Sequence, residues 1–247
     1  MVGFYDRARL SRGDLAVATG SNRYARTIEY GWSPDVPEHH ITTLEQLAEL
    51  YRAPSKRVST KQTQTIDEVT ARFLHASPFF LLATADEAGR CDVSPRGGPP
   101  GQLVVLDERR VAFPDLNGNN LVDSLRNIIA NPHAGLLIIT PGNDETLRLN
   151  GTATLTTDPD VLSLWDGELR RPKLAIVITL EDAFFHCAKS FRRAELWEPE
   201  SWMRFADLPD PVTMLQAHTN GEDDAATARA GLEDSYRADL EQDQPPA

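Results

Sequence analysis

Apolar positions along the chain follow two periods, and the change between them divides the sequence. From Thr42 the spacing is helical: Leu44, Leu47, Leu50 and Tyr51 fall on one face, and Pro54 stops the run. A polar connector, Ser55 to Gln64, leads to a second helix. Here Thr65 is the expected N-cap, Glu68 completes a capping box, and Ile66, Val69, Phe73 and Leu74 form the stripe that Ser77-Pro78 ends. The pattern then becomes β-like. Phe79 to Thr84 is a compact apolar run, Asp86 to Gly89 reads as a hairpin turn, and Val93 lies in the returning strand. Gly97 to Gly101 breaks that strand, and Leu103 to Leu106 resumes it. Asp107 to Arg110 turns, and Val111 to Phe113 is the next strand. Leu136 to Thr140 and Leu147 to Leu155 follow, separated by Pro141-Gly142. A short helix around Val161 to Leu169 leads to the apolar run Leu174 to Leu180. Closely spaced strands joined by hairpin turns predict a mainly β, α+β architecture: an antiparallel barrel with peripheral helices.

Composition narrows the function classes. Of 247 residues, 40% are hydrophobic and 25% charged, as expected of a globular chain with a full core. No apolar run approaches the roughly 18 residues of a membrane span, and the first residues lack a signal-peptide layout, so a cytoplasmic protein is expected. The net charge of −12 argues against nucleic acid as the main partner. Half of it lies between Glu222 and Ala247, where eight acidic residues face two basic ones; this tail is expected to be disordered or loosely helical. Cys91 and Cys187 lie far apart with no CxxC, and read as reduced, partly buried thiols.

Four segments could carry chemistry. A strand ends at Phe113 and a loop, Pro114 to Asn120, feeds a helix near Leu121 whose apolar face is Leu121, Leu125, Ile128 and Ile129. With Asn119 or Asn120 as N-cap, its free N–H groups and positive dipole end form a seat for a phosphate. Ser94 and Arg96, two apart in a strand, share a face and could grip one anion. Arg148 lies between Leu147 and Leu149, so it faces out if they face the core. In Phe184 to Arg193 the Cys187–Lys189 spacing allows a reactive thiol, although a structural cysteine is the commoner case. His39-His40 reads as a solvated pair. No metal site, Ser-His-Asp arrangement, Walker loop, HExxH or GxGxxG is present, and no catalytic acid or base stands out.

In combination, SPFFLLATADEAGRCDVSPRGGPPG, VAFPDLNGNNLVDSLRNIIANPHAGLLIITPG, ETLRLNGTATL and FHCAKSFRRAELW resemble the pyridoxamine 5′-phosphate oxidase-related proteins, specifically a subgroup of FMN-dependent enzymes. The resemblance covers about Thr65 to Trp202. It implies a six-stranded antiparallel split β-barrel over residues 61–202, a helical extension over 1–60, and an acidic, partly disordered tail over 203–247. It also implies a homodimer with FMN at the interface, acting with a small-molecule substrate or electron donor. Carried over residue by residue, Ser94, Arg96 and Gly97 would line the phosphate or ribityl chain, with Asp115, Asn119 and Asn120 from the following loop. Arg148 would reach the ring or phosphate, and Lys189, Arg193 and Trp197 would come from the second subunit. The Arg-Leu-Leu-Lys and Ser-Arg-Lys elements of true pyridoxamine-phosphate oxidases read Ser-Pro-Arg-Gly and Gly-Asn-Asn here, and the C-terminal Arg and His pattern is unmatched. Vitamin B6 oxidation is therefore not implied. A deazaflavin in place of FMN, and a non-catalytic flavin store or sensor, are the alternatives; a haem carrier is disfavoured because no histidine stands out as an axial ligand, and haem titration would test His186.

Overall fold

A computed structural model describes residues 40–204, 207–208, 210–219 and 225–245. The reading of His39 lies outside these residues. The chain divides into two units, 1–53 and 54–247. In the first, helix α1 (Leu44–Leu50) starts in a capping box between Thr43 and Gln46. Its stripe of Leu44, Leu47, Leu50 and Tyr51 is exposed.

The second unit begins with two helices, α2 (Lys56–Ser59) and α3 (Glu68–Ala76). The strands are β1 (Phe79–Ala85), β2 (Cys91–Gly97), β3 (Val104–Asp107), β4 (Arg110–Pro114), β5 (His133–Ile139), β6 (Thr146–Thr156) and β7 (Ala175–His186). Helix α4 (Asp123–Ala130) joins β4 to β5, and α5 (Pro159–Leu162) with a 3-10 turn joins β6 to β7. Helices α6 (Lys189–Ala194), α7 (Pro211–Thr219) and α8 (Ala225–Asp243) follow. No helix among the described residues is long and apolar enough to cross a membrane.

All seven strands pair antiparallel in the order β2-β1-β5-β6-β7-β4-β3. The expected antiparallel barrel class holds, with seven paired strands where the resemblance implies six. In β1, Phe80, Leu82 and Thr84 point into the core while Phe79, Leu81 and Ala83 point out, the period of two that a half-buried strand requires. Leu136, Ile138, Leu147, Leu149, Ile176 and Ile178 complete the inner layer, and Phe80 meets Phe113 edge-on with ring centroids 4.9 Å apart.

Several boundaries differ from the sequence reading for local reasons. Helix α3 is capped by Asp67, whose carboxylate accepts from the Thr70 N–H at 2.7 Å, and Thr65 turns back to Thr63 instead. Helix α4 starts at Asp123, so Leu121 lies outside it and is exposed, as is Ile129. Strand β7 runs on through Phe184, Phe185 and His186, beyond the apolar run that marked it. A register shift at Asn150/Gly151 absorbs Glu181, which has no partner on β6, and lets pairing continue to Thr146. Both cysteines are exposed, contrary to the partly buried reading. The segment Ala225–Asp243 of the acidic tail is helical.

Candidate functional site

Strand β2 is one edge of the sheet, and β4 lies near the other. Side chains bridge the gap where the backbone ladder does not. Asp92, Ser94 and Arg96 occupy alternate, half-buried positions of β2, and in the register Arg96 stands beside Phe80 and Ser94 beside Leu82, both core residues. All three therefore point toward the inner face at the split. Arg96 Nη1 donates to Asp115 Oδ1 at 3.2 Å, just past the end of β4. Ser124 in the first turn of α4 donates to Asp92 Oδ2 at 2.8 Å and lies 3.1 Å from Ser94 Oγ.

Between these bridges lies a cavity of about 300 Å³, lined by Ser94, Arg96, Asp115, Asn119 and Asn120 together with Asp92 and the first turn of α4. Five of the residues singled out from sequence thus meet at one place. The helix entrance differs from the expected Asn cap. The N-cap is Val122, in the left-handed region at φ 55° with no side-chain cap bond, and Asn120 is also left-handed at φ 56°. Asn119 spends its carbonyl on the Leu121 N–H at 3.0 Å. A β-branched residue in this conformation costs about 1–3 kcal/mol and persists only where its surroundings hold it. The result is a helix whose first N–H groups lack a side-chain cap at the cavity wall.

The charges are mixed. Asp92, Asp115 and Asp123 line the cavity against one guanidinium, Arg96. Burial pushes the Asp115 carboxyl above its ordinary range, against the pull of Arg96 and Lys173, and the Asp243 carboxylate adds to the rise. Arg96 keeps an unused donor: among buried side-chain nitrogen and oxygen atoms of the described residues, those without a hydrogen-bond partner are Arg96 Nε and Arg148 Nε. A buried N–H with no acceptor costs about 1–3 kcal/mol, so each marks a place where an acceptor would be stabilising.

The loop itself is anchored from far along the chain. Asp243, in the last turn of α8, accepts from the Asn117 backbone N–H at 3.2 Å and from Asn117 Nδ2 at 2.8 Å, and its carbonyl accepts from the Arg170 N–H at 2.9 Å. A second cavity of about 360 Å³ lies here, between the loop, residues 170–174 and the end of α8. Asp243→Ala is expected to speed amide exchange of residues 115–122, whereas Asp243→Asn, which keeps an acceptor, preserves protection; hydrogen-exchange mass spectrometry reads both.

The other sequence-selected residues do not join the cavity. Gly97 ends β2 opposite Phe79 and is exposed. Arg148 lies between buried Leu147 and Leu149, and points to the outer face of the sheet with Asn150. It is 3.6 Å from Asp182. Within one chain Arg148 and Arg96 lie on opposite faces of the sheet, because strand alternation separates them. Lys189 and Arg193 are exposed on α6, and Trp197 Nε1 donates to the Asn143 carbonyl at 2.9 Å. Sequence reading missed Asp92, Ser124 and Asp243. Ser124 was findable, since it sits in the first turn of the helix assigned to the phosphate seat.

Residues 66–187, just under half of the chain, match the family model of pyridoxamine 5′-phosphate oxidase, so that segment is similar to this family. No curated protein matched the chain. Among solved structures, HupZ of Group A Streptococcus is 17% identical, with 49% of this chain and 93% of that one covered and a TM-score of 0.41. An FMN-binding protein from Syntrophomonas wolfei is 11% identical over 47% of this chain and 84% of its own, with a TM-score of 0.37. An F420 reductase is 22% identical over 46% and 93%, with a TM-score of 0.32.

The family's flavin phosphate is a dianion that needs directed donors. Arg96, Ser94 and the first turn of α4 line the cavity and are groups of the kind such a phosphate would need. Asp115 is the residue paired with Arg96, and burial raises its proton affinity.

Proposed function

We propose that the chain binds FMN by its phosphate in the split of the barrel and works as a homodimer in hydride or electron transfer with a small-molecule substrate. The observation that carries this reading is Arg96, whose Nε lacks a partner and whose side chain lines one cavity with Ser94, Asn119, Asn120 and the uncapped start of α4. In a family that binds flavins, the phosphate is the group this donor set suits. Arg96, Ser94 and the α4 N–H groups would hold the phosphate, while Asp115, Asn119 and Asn120 would flank the ribityl chain. When bound, FMN supplies the redox chemistry, and the protein supplies position and charge.

The dimer is supported by the outer face of β1, β2 and β5. There Leu81, Leu137 and Ile139 are only partly buried, and Val93 is 59% exposed. Lys189, Arg193 and Trp197 would then serve the flavin of the second copy. Light scattering of the eluted protein reads the dimer directly.

Parallel titration with FMN and the deazaflavin F420, followed by reduction with NADH or NADPH, tests the cofactor and the activity. The proposal expects FMN to bind tightly and the bound flavin to turn over. Preference for F420 would change the cofactor, FMN binding without turnover would leave a flavin holder, and uptake of neither would overturn the reading.

Asp115 adds a pH signature. Its carboxylate form occupies Arg96 and repels a phosphate, so Asp115→Asn is expected to tighten FMN binding by roughly tenfold at neutral pH, the scale of one charge-assisted bond. Because its pKa is raised, Asp115 takes up its proton at a higher pH than an ordinary carboxylate. The affinity ratio of variant to wild type therefore falls toward one as pH drops through that raised value. Using the ratio cancels the titration of the phosphate itself; a ratio that stays constant with pH would contradict this role.

A further inference from the structure

The second unpartnered guanidinium nitrogen lies on the outer face of the sheet, at the end of β6 and β7. Register places Arg148 beside Phe184 and Thr146 beside His186. The Arg148 guanidinium stands 5.1 Å from the centroid of the Phe184 ring, and Lys61 Nζ stands 4.2 Å from the same centroid. The His186 ring packs edge-on to Phe184 at 5.0 Å. Lys61 is held there by donating to the Phe185 carbonyl at 2.6 Å, which leaves two of its three N–H groups free of that bond.

Two cations drawn to one ring repel each other, and the Asp182 carboxylate, paired with Arg148, offsets one of the two charges. Asp182 lies 3.6 Å from Arg148 Nη2, but it also accepts from Asn150 Nδ2 at 3.2 Å. Asp144, in the β5–β6 turn, is engaged by Arg192 at 2.8 Å, and Glu145 also acts on Arg192. Cys187 follows His186 directly, and the Lys189 N–H and charge hold its thiol below the ordinary value. Burial, then the charges of Arg148 and Lys61, pushes the His186 imidazole below its ordinary value, so it is largely neutral near pH 7. A concentration of positive charge in a chain of net charge −12, with a buried N–H lacking an acceptor, is a site short of an anion.

We propose that Arg148, Lys61 and His186 form a second oxyanion site, separate from the split, which takes the phosphate or carboxylate group of a small-molecule co-substrate. The co-substrate role rests on the flavin reading; anion binding at this site does not. The aromatic floor of Phe184 suits a ligand whose anionic end is joined to a flat body, with the cations gripping the oxygens.

The His186 ring is the reporter. Inorganic phosphate and acetate are titrated separately into the full chain while the His186 proton resonance is followed by NMR over pH. A bound anion stabilises the imidazolium, so the proposal expects saturable binding that raises the His186 pKa; the stronger of the two anions identifies the ligand group. Lys61→Gln, at an exposed position, is expected to weaken that response severalfold without disturbing the fold, and the Lys61→Gln/Arg148→Gln pair by about tenfold or more. Arg96→Ala, on the opposite face, leaves the response in place. A His186 signal indifferent to both anions, an unaltered response in the double variant, or loss of the response in Arg96→Ala would each overturn the proposal. If the wild type takes up no FMN yet His186 responds as described, the flavin reading fails and the anion site stands.

Discussion

Replacing Arg96 by alanine is expected to weaken FMN binding by about ten- to a hundredfold, the equivalent of the 1.5–3 kcal/mol typical of a hydrogen bond to a charged group. The loss has two sources. The phosphate forfeits its only guanidinium, and Asp115, 3.2 Å away, is left half-buried without its partner and facing the same anion. Arg96→Lys would keep the charge and lose the forked donors, so it is expected to recover only part of the affinity. Quenching of flavin fluorescence measures all three proteins. Wild-type affinity in Arg96→Ala would remove the split of the barrel from the account.

Gly151→Ala is expected to have the largest effect on stability, about 3 kcal/mol or more, the upper range for overpacking. Gly151 lies where β6 shifts register against β7, and a Cβ added there would overlap the Thr179 carbonyl, with the Glu181 nitrogen 3.2 Å away. These are backbone atoms of the neighbouring strand, so no side chain can rotate aside. The chain must either separate β6 from β7 or lose the bulge that carries β7 on to His186. A lowered denaturant midpoint with an unchanged slope would report this; a midpoint within error of wild type would contradict it.

The sheet was legible where side chains alternate. Phe79 to Ala85 reads as a strand because every second residue enters the core, and the hairpins at Asp86–Gly89 and Asp107–Arg110 follow from turn chemistry. Strand β7 was legible only as far as Leu180, since its last residues pair through a bulge that apolar patterning does not encode. The site was legible in its local parts. Ser94 and Arg96 share a face by strand spacing, and the Asn-rich loop does open a helix.

Long-range geometry was not legible. Whether Arg148 joins Arg96 depends on which face of a closed sheet each strand presents, and alternation within one strand does not settle that for two. Val122 as a left-handed cap runs against its own propensity, and is reached because the loop is tied elsewhere. One such tie, Asp243 to Asn117, spans 126 residues and leaves no local trace. The carboxylate of Asp92 was similarly hidden, since a net charge does not say which acids fold around an arginine.

The most direct test compares FMN with riboflavin, its phosphate-free counterpart, on the wild-type protein by calorimetry. If the Arg96 cavity is a phosphate seat, FMN binds at least about tenfold more tightly, and raising the salt concentration narrows the gap. Equal affinity for the two would mean that the split of the barrel does not recognise the phosphate, and the central assignment would be wrong.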